Sequence, residues 1–310
     1  METVKLKNSD LIVSRLCMGG CPMGGHGWGE TDEKELIEAV HTAIGCGINF
    51  FDTADTYGLG QSEITLGKAL GNKRKDVVIA SKFGVKAGHG PTTYDNSPAY
   101  IREALDKSLQ RLGTDYIDLY QIHNRDNTPI EEVIDTLDEL KKKGKIRYYG
   151  VSNINAKDAE ELLPYRGKIV SFQDEYSLAC RKNEKDIFSI AKELDATPMS
   201  WGSLGQGILT GKYDKSVSFD QNDRRSREIY VNFHGDKLLR NLEIVEAMKP
   251  IAAAHNKSLA AVAIRFILDY ILDSVVLCGA KRPAQVLSNA EAADWKLTSN
   301  ELEVLKNISK

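Results

Sequence analysis

Asp52, Tyr57, Lys82 and His123 are the residues of this chain best suited to move a proton. A phenol is a weak acid with an ordinary pKa of about 10, and a nearby cation that favours the phenolate brings it into use near neutral pH. Lys82 supplies such a cation. Asp52 can hold the ammonium through a charge-assisted hydrogen bond, and His123 can orient or donate to a carbonyl oxygen. Together they can protonate a carbonyl oxygen while a hydride reaches its carbon. Singly, each has a plainer structural alternative: an Asx-turn at Asp52, a packed loop aromatic at Tyr57, a surface cation lying along apolar surface at Lys82, a core histidine at His123. Joint placement is what points to chemistry.

That placement is set by strand patterns. Asp52 ends the run 49–52 and Tyr57 follows in its loop, Lys82 closes 77–82, and His123 closes 116–123. Further strand signals fall at 15–19, 146–151, 169–173, 198–201 and 274–278, after a short hairpin over 4–13. Helical patterns follow them at 31–46 (Thr31 as N-cap), 62–70, 98–112 (Ser97 as N-cap, Gly113 as stop) and 130–143 (Thr128 as N-cap, Pro129 at the first helical position). Others follow at 156–163, 184–194, 236–254, 258–272 and 283–293. Eight continuous apolar strand runs, each followed by helix, predict a (β/α)8 barrel, in which strand C-termini converge at one face. With no linker or charge block, residues 1–310 read as one such domain. Two long loops, 84–97 and 202–235, would stand on the convergent face as lids or binding walls, with a disordered insertion the plainer alternative for 215–227.

Bulk properties narrow the function. The chain carries 41 basic and 44 acidic residues, net −3, so phosphate recognition must be local and a nucleic-acid role is disfavoured. Five scattered cysteines without C-x-x-C or a histidine cluster give neither a disulfide frame nor a metal site, and reduced thiols suit the cytoplasm. No apolar run is long enough to span a bilayer, no signal-peptide pattern opens the chain, and nothing points to an obligate protein partner.

Gly58–Glu63 begins like a dinucleotide fingerprint but ends in Glu63, where a small residue is needed, and it follows a loop rather than a strand. Thr210-Gly211-Lys212-Tyr213 fails as a phosphate loop, since Gln206 and Tyr213 stand where glycine and Ser/Thr belong.

Asp52-Thr53-Ala54-Asp55-Thr56-Tyr57-Gly58, Lys82 and the strand ending in His123 resemble the signature of the aldo-keto reductases. So do Gly150-Val151-Ser152-Asn153, the strand end at Gln173, and Gly279-Ala280-Lys281-Arg282 with Gln285 and Asn289. The likeness runs over about residues 4–293, in order and spacing, and is similar, more loosely, to the bacterial inositol-operon and sugar-aldehyde reductase branch. It implies a barrel enzyme that reduces aldehydes and ketones with NADPH and no metal. Tyr57 is then the general acid, Lys82 its pKa perturber, Asp52 the partner of Lys82, and His123 the carbonyl-orienting group.

The resemblance also implies a cofactor lying across the strand ends. Ser152, Asn153 and Gln173 would bind the nicotinamide carboxamide and Trp201 would stack on the ring. Gly202, Ser203, Leu204 and Gly205 would track the pyrophosphate, with charge from Lys212. Gly279, Ala280, Lys281 and Arg282 open a helix, where backbone N–H groups and added cations would favour a 2′-phosphate, hence NADPH over NADH. Gln285 and Asn289 would meet the adenine. Cys278 replaces a proline common in relatives.

The expected substrate is a small carbonyl compound, walled by Trp28, Met23, Tyr94, Tyr230 and Phe233, with His26 and Arg125 as polar options. Arg125 is a candidate for an anionic substrate, or a solvated loop cation. An aldose or secondary-alcohol dehydrogenase running in the oxidative direction would use the same site. A cofactor-binding regulatory subunit of the potassium-channel β type is the alternative from another class; a barrel hydrolase or lyase would need a metal cluster or carboxylate pair that is not apparent.

Overall fold

The computed structural model of the protein describes residues 1–87 and 91–310. The chain opens with a hairpin of β1 (Thr3–Lys5) and β2 (Ile12–Ser14). β3 (Leu16–Gly19) leads to α1 (Glu33–Gly45), and β4 (Phe50–Asp52) to α2 (Gln61–Leu70). β5 (Val78–Phe83) leads to a small hairpin of β6 (Val85–Lys86) and β7 (Thr93–Tyr94), then to α3 (Pro98–Leu112). β8 (Ile117–Ile122) precedes α4 (Ile130–Lys142), β9 (Ile146–Ser152) precedes α5 (Ala156–Leu162), and β10 (Ile169–Glu175) precedes α6 (Glu184–Leu194). β11 (Thr197–Trp201) is followed by α7 (Gly235–His255) and α8 (Leu259–Tyr270). β12 (Val275–Gly279) is followed by α9 (Pro283–Ala290) and α10 (Ser299–Ile308). Strands β3, β4, β5, β8, β9, β10, β11 and β12 pair in parallel in that order, and β12 returns to β3. This is the (β/α)8 barrel that the alternation predicts.

Alternation along each strand builds two cores. Phe50, Val78, Ala80, Leu119, Met199, Val275 and Leu277 pack inside the barrel with Leu6, Leu11 and Val13 of the N-terminal segment. Phe51, Ile79, Phe83, Tyr120 and Ile122 pack outward against the helices. Continuing the inward set by two residues puts Asp52 after Phe50, Lys82 after Ala80 and Gln121 after Leu119, all at the C-terminal end. In β10 a register shift between Ile169 and Phe172 changes the alternation, so Gln173 also turns inward.

The structure corrects several local expectations. Asp32, not Thr31, caps α1, its carboxylate accepting from the Glu35 N–H at 3.0 Å. Thr128 does not cap α4, because its hydroxyl and N–H are taken by the Asp126 carboxylate. The loop 84–97 holds the β6–β7 hairpin, and residues 88–90 within it lie outside the described residues. Helix α10 is absent from the periodicity reading, although Thr298 and Glu301 form the reciprocal capping pair that marks a helix start. Segment 215–227 is no loose insertion: Phe219 packs on Tyr213 and Phe233, with the Arg225 guanidinium 4.4 Å over its ring.

Candidate active site

Lys82 is 0% exposed and Asp52 2% exposed, so neither charge is tolerable alone. They meet at 2.5 Å, Nζ to Oδ1, and Lys82 also donates to the Thr53 carbonyl at 3.0 Å. The other carboxylate oxygen of Asp52 accepts from Gln173 Nε2 at 2.9 Å and Gln121 Nε2 at 3.3 Å. Gln121 is an anchor that sequence reading missed; the inward alternation after Leu119 was the available signal.

The third donor contact of Lys82 goes to Tyr57 Oη, at 3.3 Å. The ring of His123 stands edge-on to Tyr57, centroids 5.8 Å apart at 84°. The structure thus brings together all four residues. Their electrostatics depart from expectation in one respect. Burial, followed by the charges of Cys21, Asp52 and Asp55, pushes the Tyr57 phenol well above its ordinary value. Lys82 does not reverse this, because Asp52 neutralises it at contact distance. Burial and then the Lys82 charge hold His123 down at about 3, a neutral imidazole, and its Nδ1 is buried without a hydrogen-bond partner among the described residues.

Tyr57 owes its position to a glycine contact. Gly58 has φ +61°, and a β-carbon there would fall 2.1 Å from the Gly24 carbonyl oxygen; one at Gly24 would fall 2.5 Å from the Gly58 nitrogen. The loop after β3 therefore lies directly on the loop carrying the tyrosine.

A cavity of about 1470 Å³ opens above this group at the C-terminal end of the barrel. Its lining includes Asp52, Tyr57 and His123, then Ser152, Asn153, Gln173, Trp201, Gly202, Ser203 and Leu204. It continues past Lys212 to Gly279, Ala280, Lys281, Gln285 and Asn289. Trp28 and Tyr230 form a T-shaped pair on its wall, 5.9 Å between centroids.

Other sequence expectations fail at this level. Met23 is buried in the strand–helix core and Phe233 in the Tyr213–Phe219 cluster, so neither reaches the cavity. Tyr94, on the β6–β7 hairpin, is 49% exposed and lies outside the lining, as does the exposed His26. Arg125 turns away to pair with Glu161 at 3.0 Å. Gly205 is buried against Ala179 and Ile208, and its N–H is spent on the Gly202 carbonyl at 2.7 Å.

Three assigned residues line the cavity but have their polar groups engaged. The Asn153 amide donates to the His123 carbonyl and accepts from Trp201 Nε1 at 3.1 Å, fixing the indole. Gln173 holds Asp52, as above. Gln285 Oε1 accepts from the N–H groups of Lys281 and Arg282, occupying donors at the α9 N-terminus. Arg282 itself points outward, its side chain 64% exposed and 3.0 Å from Glu35, outside the lining. Lys281 points inward and donates to the carbonyls of Trp28 at 2.7 Å and Glu30 at 3.0 Å.

Sequence reading also missed the arginines of the long loop after β11. Arg224, Arg225 and Arg227 all line the cavity. The Arg224 N–H donates to the Gly27 carbonyl at 2.9 Å, so this loop reaches across to the loop after β3. Their loop position, with no periodic pattern, left no signal of where they face.

Comparison with known proteins agrees with this site. The sequence profile of the aldo/keto reductase family matches residues 15–310. The chain is 34% identical to the aldo-keto reductase YhdN of Bacillus subtilis, over 99% of this chain and 93% of that one. It is 31% identical to the NADH-specific methylglyoxal reductase of Escherichia coli, over 100% and 98%. The solved structure of a glycerol dehydrogenase from Gluconobacter oxydans superposes with a TM-score of 0.88 at 33% identity, covering 99% of this chain and 94% of that one. With its closed barrel and its tyrosine, lysine, aspartate and histidine at one strand-end cavity, the chain belongs to the aldo/keto reductase family.

Proposed function

We propose that the protein reduces a small aldehyde or ketone with a nicotinamide dinucleotide, NADPH in preference to NADH, and that Tyr57 gives the proton. The observation that carries this is the buried Lys82–Asp52 pair with Tyr57 Oη 3.3 Å from the ammonium, at the floor of the cavity. The cavity exceeds the 300–1,000 Å³ of ordinary small-molecule sites, which suits a dinucleotide with a small substrate beside it.

The residues present fit such a cofactor. Trp201 offers an indole face already fixed by Asn153, and Ser152, which precedes that asparagine at the end of β9, lines the same cavity. Lys212 and Lys281 give the far half of the cavity positive charge for phosphates, and Asn289 stands beyond them. The cofactor, when bound, supplies the hydride. The carbonyl carbon receives it, the carbonyl oxygen takes the Tyr57 proton, and water later returns a proton to the tyrosine. As the phenolate forms, the Lys82 ammonium stabilises it across 3.3 Å, while Asp52, Gln121 and Gln173 keep that ammonium in place. His123, held neutral, hydrogen-bonds the carbonyl oxygen and orients it. General acid catalysis of this kind contributes on the order of 10²–10⁴ in rate.

The Tyr57 phenol is protonated at neutral pH, the state from which carbonyl reduction starts. The upward push makes it a weaker acid, which the Lys82 ammonium offsets as the proton leaves, and the oxidative direction would use the same group in reverse. On the cofactor, Lys281 is the residue that supports a 2′-phosphate, while Arg282 is turned away toward Glu35. A panel of aldehydes, ketones and sugars, followed by NADPH and NADH consumption, tests the proposal; a purified, folded protein that consumes neither with any carbonyl would refute it.

A further inference from the structure

The charges lining the cavity are strongly unbalanced. Asp52 is neutralised by Lys82, and Glu175 pairs with Lys182 at 3.2 Å. Several cations there have partners as well: Arg225 takes the Asp223 carboxylate with two nitrogens, and Lys281 rests on two backbone carbonyls. Arg224 adjoins Asp223 in sequence, yet Arg225 occupies that carboxylate, and, as for Lys212, Arg227 and Lys237, no hydrogen bond or ion pair holds its side-chain charge among the described residues.

Its position is built rather than incidental. The Arg224 N–H is tied to the Gly27 carbonyl at 2.9 Å, and the side chain crosses directly over Gly27. A β-carbon at residue 27 would fall 2.4 Å from Arg224 Cγ and 2.8 Å from Nε, and Gly27 has φ +75°, so glycine alone gives this crossing. Arg224 thereby shares the cavity lining with Cys21 and Trp28 of the loop it crosses and with Tyr57. Its charge reaches both the Cys21 thiol and the Tyr57 phenol, in each case opposing the upward push of burial.

We infer that Arg224 is a specificity residue that receives the carboxylate of a short oxo-acid, placing its aldehyde or keto group at Tyr57. This rests on the carbonyl-reductase reading above and names the substrate class for that same site. A carboxylate matches the planar fork of one guanidinium. Lys212, Arg227 and Lys237 also line the cavity without a hydrogen-bond or ion-pair partner among the described residues, but Arg224 alone of this set is tied to the loop after β3. Arg125, the arginine that the sequence offered for this task, lies outside the cavity lining with Nη2 on Glu161 and its Nε and Nη1 buried without a partner among the described residues.

The test compares glyoxylate and 4-oxobutanoate with their methyl esters as substrates of the full-length, NADPH-loaded enzyme. The expected result is a kcat/KM for at least one acid tenfold or more above its ester. In R224L that ratio falls to near one, chiefly through KM, and R224K keeps part of it. Charge-assisted contacts of this kind are worth about tenfold to a hundredfold in binding. A ratio near one in the wild type overturns the inference, as does a ratio that R224L leaves unchanged. A tenfold loss of NADPH affinity in R224L with the ratio intact would place Arg224 on the dinucleotide instead and equally overturn it. Should neither acids nor esters be reduced, the wider carbonyl panel decides the carbonyl-reductase reading, and calorimetry decides the inference separately. Butanoate binding to the NADP⁺-loaded protein tenfold more tightly than butanamide, and losing that margin in R224L, sustains it; equal binding overturns it.

Discussion

Lys82 Nζ stands 3.3 Å from Tyr57 Oη but only 2.5 Å from Asp52 Oδ1, so the cation nearest the phenol is one whose charge is already answered. The phenol keeps its proton at rest, and the ammonium acts on it when the proton leaves. This arrangement makes Lys82 as much a structural residue as a chemical one.

Removing Lys82 alone leaves a carboxylate buried with only two amide donors. Lys82→Met should cost about 3–5 kcal/mol of folding stability as well as activity. The double variant Lys82→Met, Asp52→Asn should recover a large part of the stability and none of the activity. Urea denaturation of the wild type and the three variants of that cycle measures the coupling; additive losses would break the pairing argument.

Tyr57→Phe keeps the ring, its edge contact with His123 and the fit of the loop, and removes only the hydroxyl that carries the acidic proton and meets Lys82. Carbonyl reduction should fall on the order of 10²-fold or more. NADPH binding, read by quenching of tryptophan fluorescence through Trp201, should stay within a few-fold of wild type. Steady-state rates that match the wild type would remove Tyr57 from the proton-donor role.

Lys281 and Arg282 are adjacent in sequence and opposite in direction, one in the cavity and one on Glu35. Lys281→Ala should weaken NADPH by about tenfold or more and NADH far less, since a lost charge-assisted bond is worth about 1.5–3 kcal/mol. Arg282→Ala, removing an exposed pair, should change either affinity by less than about threefold. Cofactor titrations of the two variants separate these outcomes, and equal effects on NADPH and NADH in Lys281→Ala would count against a 2′-phosphate site.

Two buried groups give stability opposite slopes with pH. His123 is pushed down to about 3, so from its ordinary value near 6.5 downward the unfolded chain takes up a proton that the fold refuses. Stability therefore falls as pH drops through that window, and His123→Asn should flatten this part of the profile. Asp55 is pushed up to about 7, by burial and then by the Glu63 charge, and its Oδ1 is buried without a partner among the described residues. Its proton stabilises the fold below about 3.8, and that contribution is lost as pH rises through 7. Asp55→Asn should accordingly gain on the wild type between pH 5 and pH 8, by on the order of 2–4 kcal/mol. Chemical denaturation at the two pH values checks both signs.

Much of this arrangement was legible in the chain because barrel strands carry strict geometric information. Continuous apolar runs ending in Asp52, Lys82 and His123 fix which residues reach the C-terminal face, and α3 matches its predicted span with Ser97 as cap and Gly113 as stop. Side-chain commitments were not legible. Arg282 and Lys281 look equivalent as neighbours, and only the fold shows that Glu35 of α1 claims one of them. Met23 and Phe233 read as pocket walls because they lie in the right loops, yet apolar side chains there found core to fill. Arg224 was invisible for the same reason, since its direction depends on Gly27, nearly two hundred residues earlier.

The contact between Gly24 and Gly58 carries a consequence for how this enzyme can change. A wall of the substrate chamber and the mount of the proton donor share one backbone surface, with no room for a single methyl group between them. Reshaping the chamber from the first loop must displace the acid, so selectivity and turnover are inherited together on that side. Arg227, Ile229 and Tyr230 line the chamber with no such contact on Tyr57's loop, and it is there that new substrates can be tried with the acid left in place.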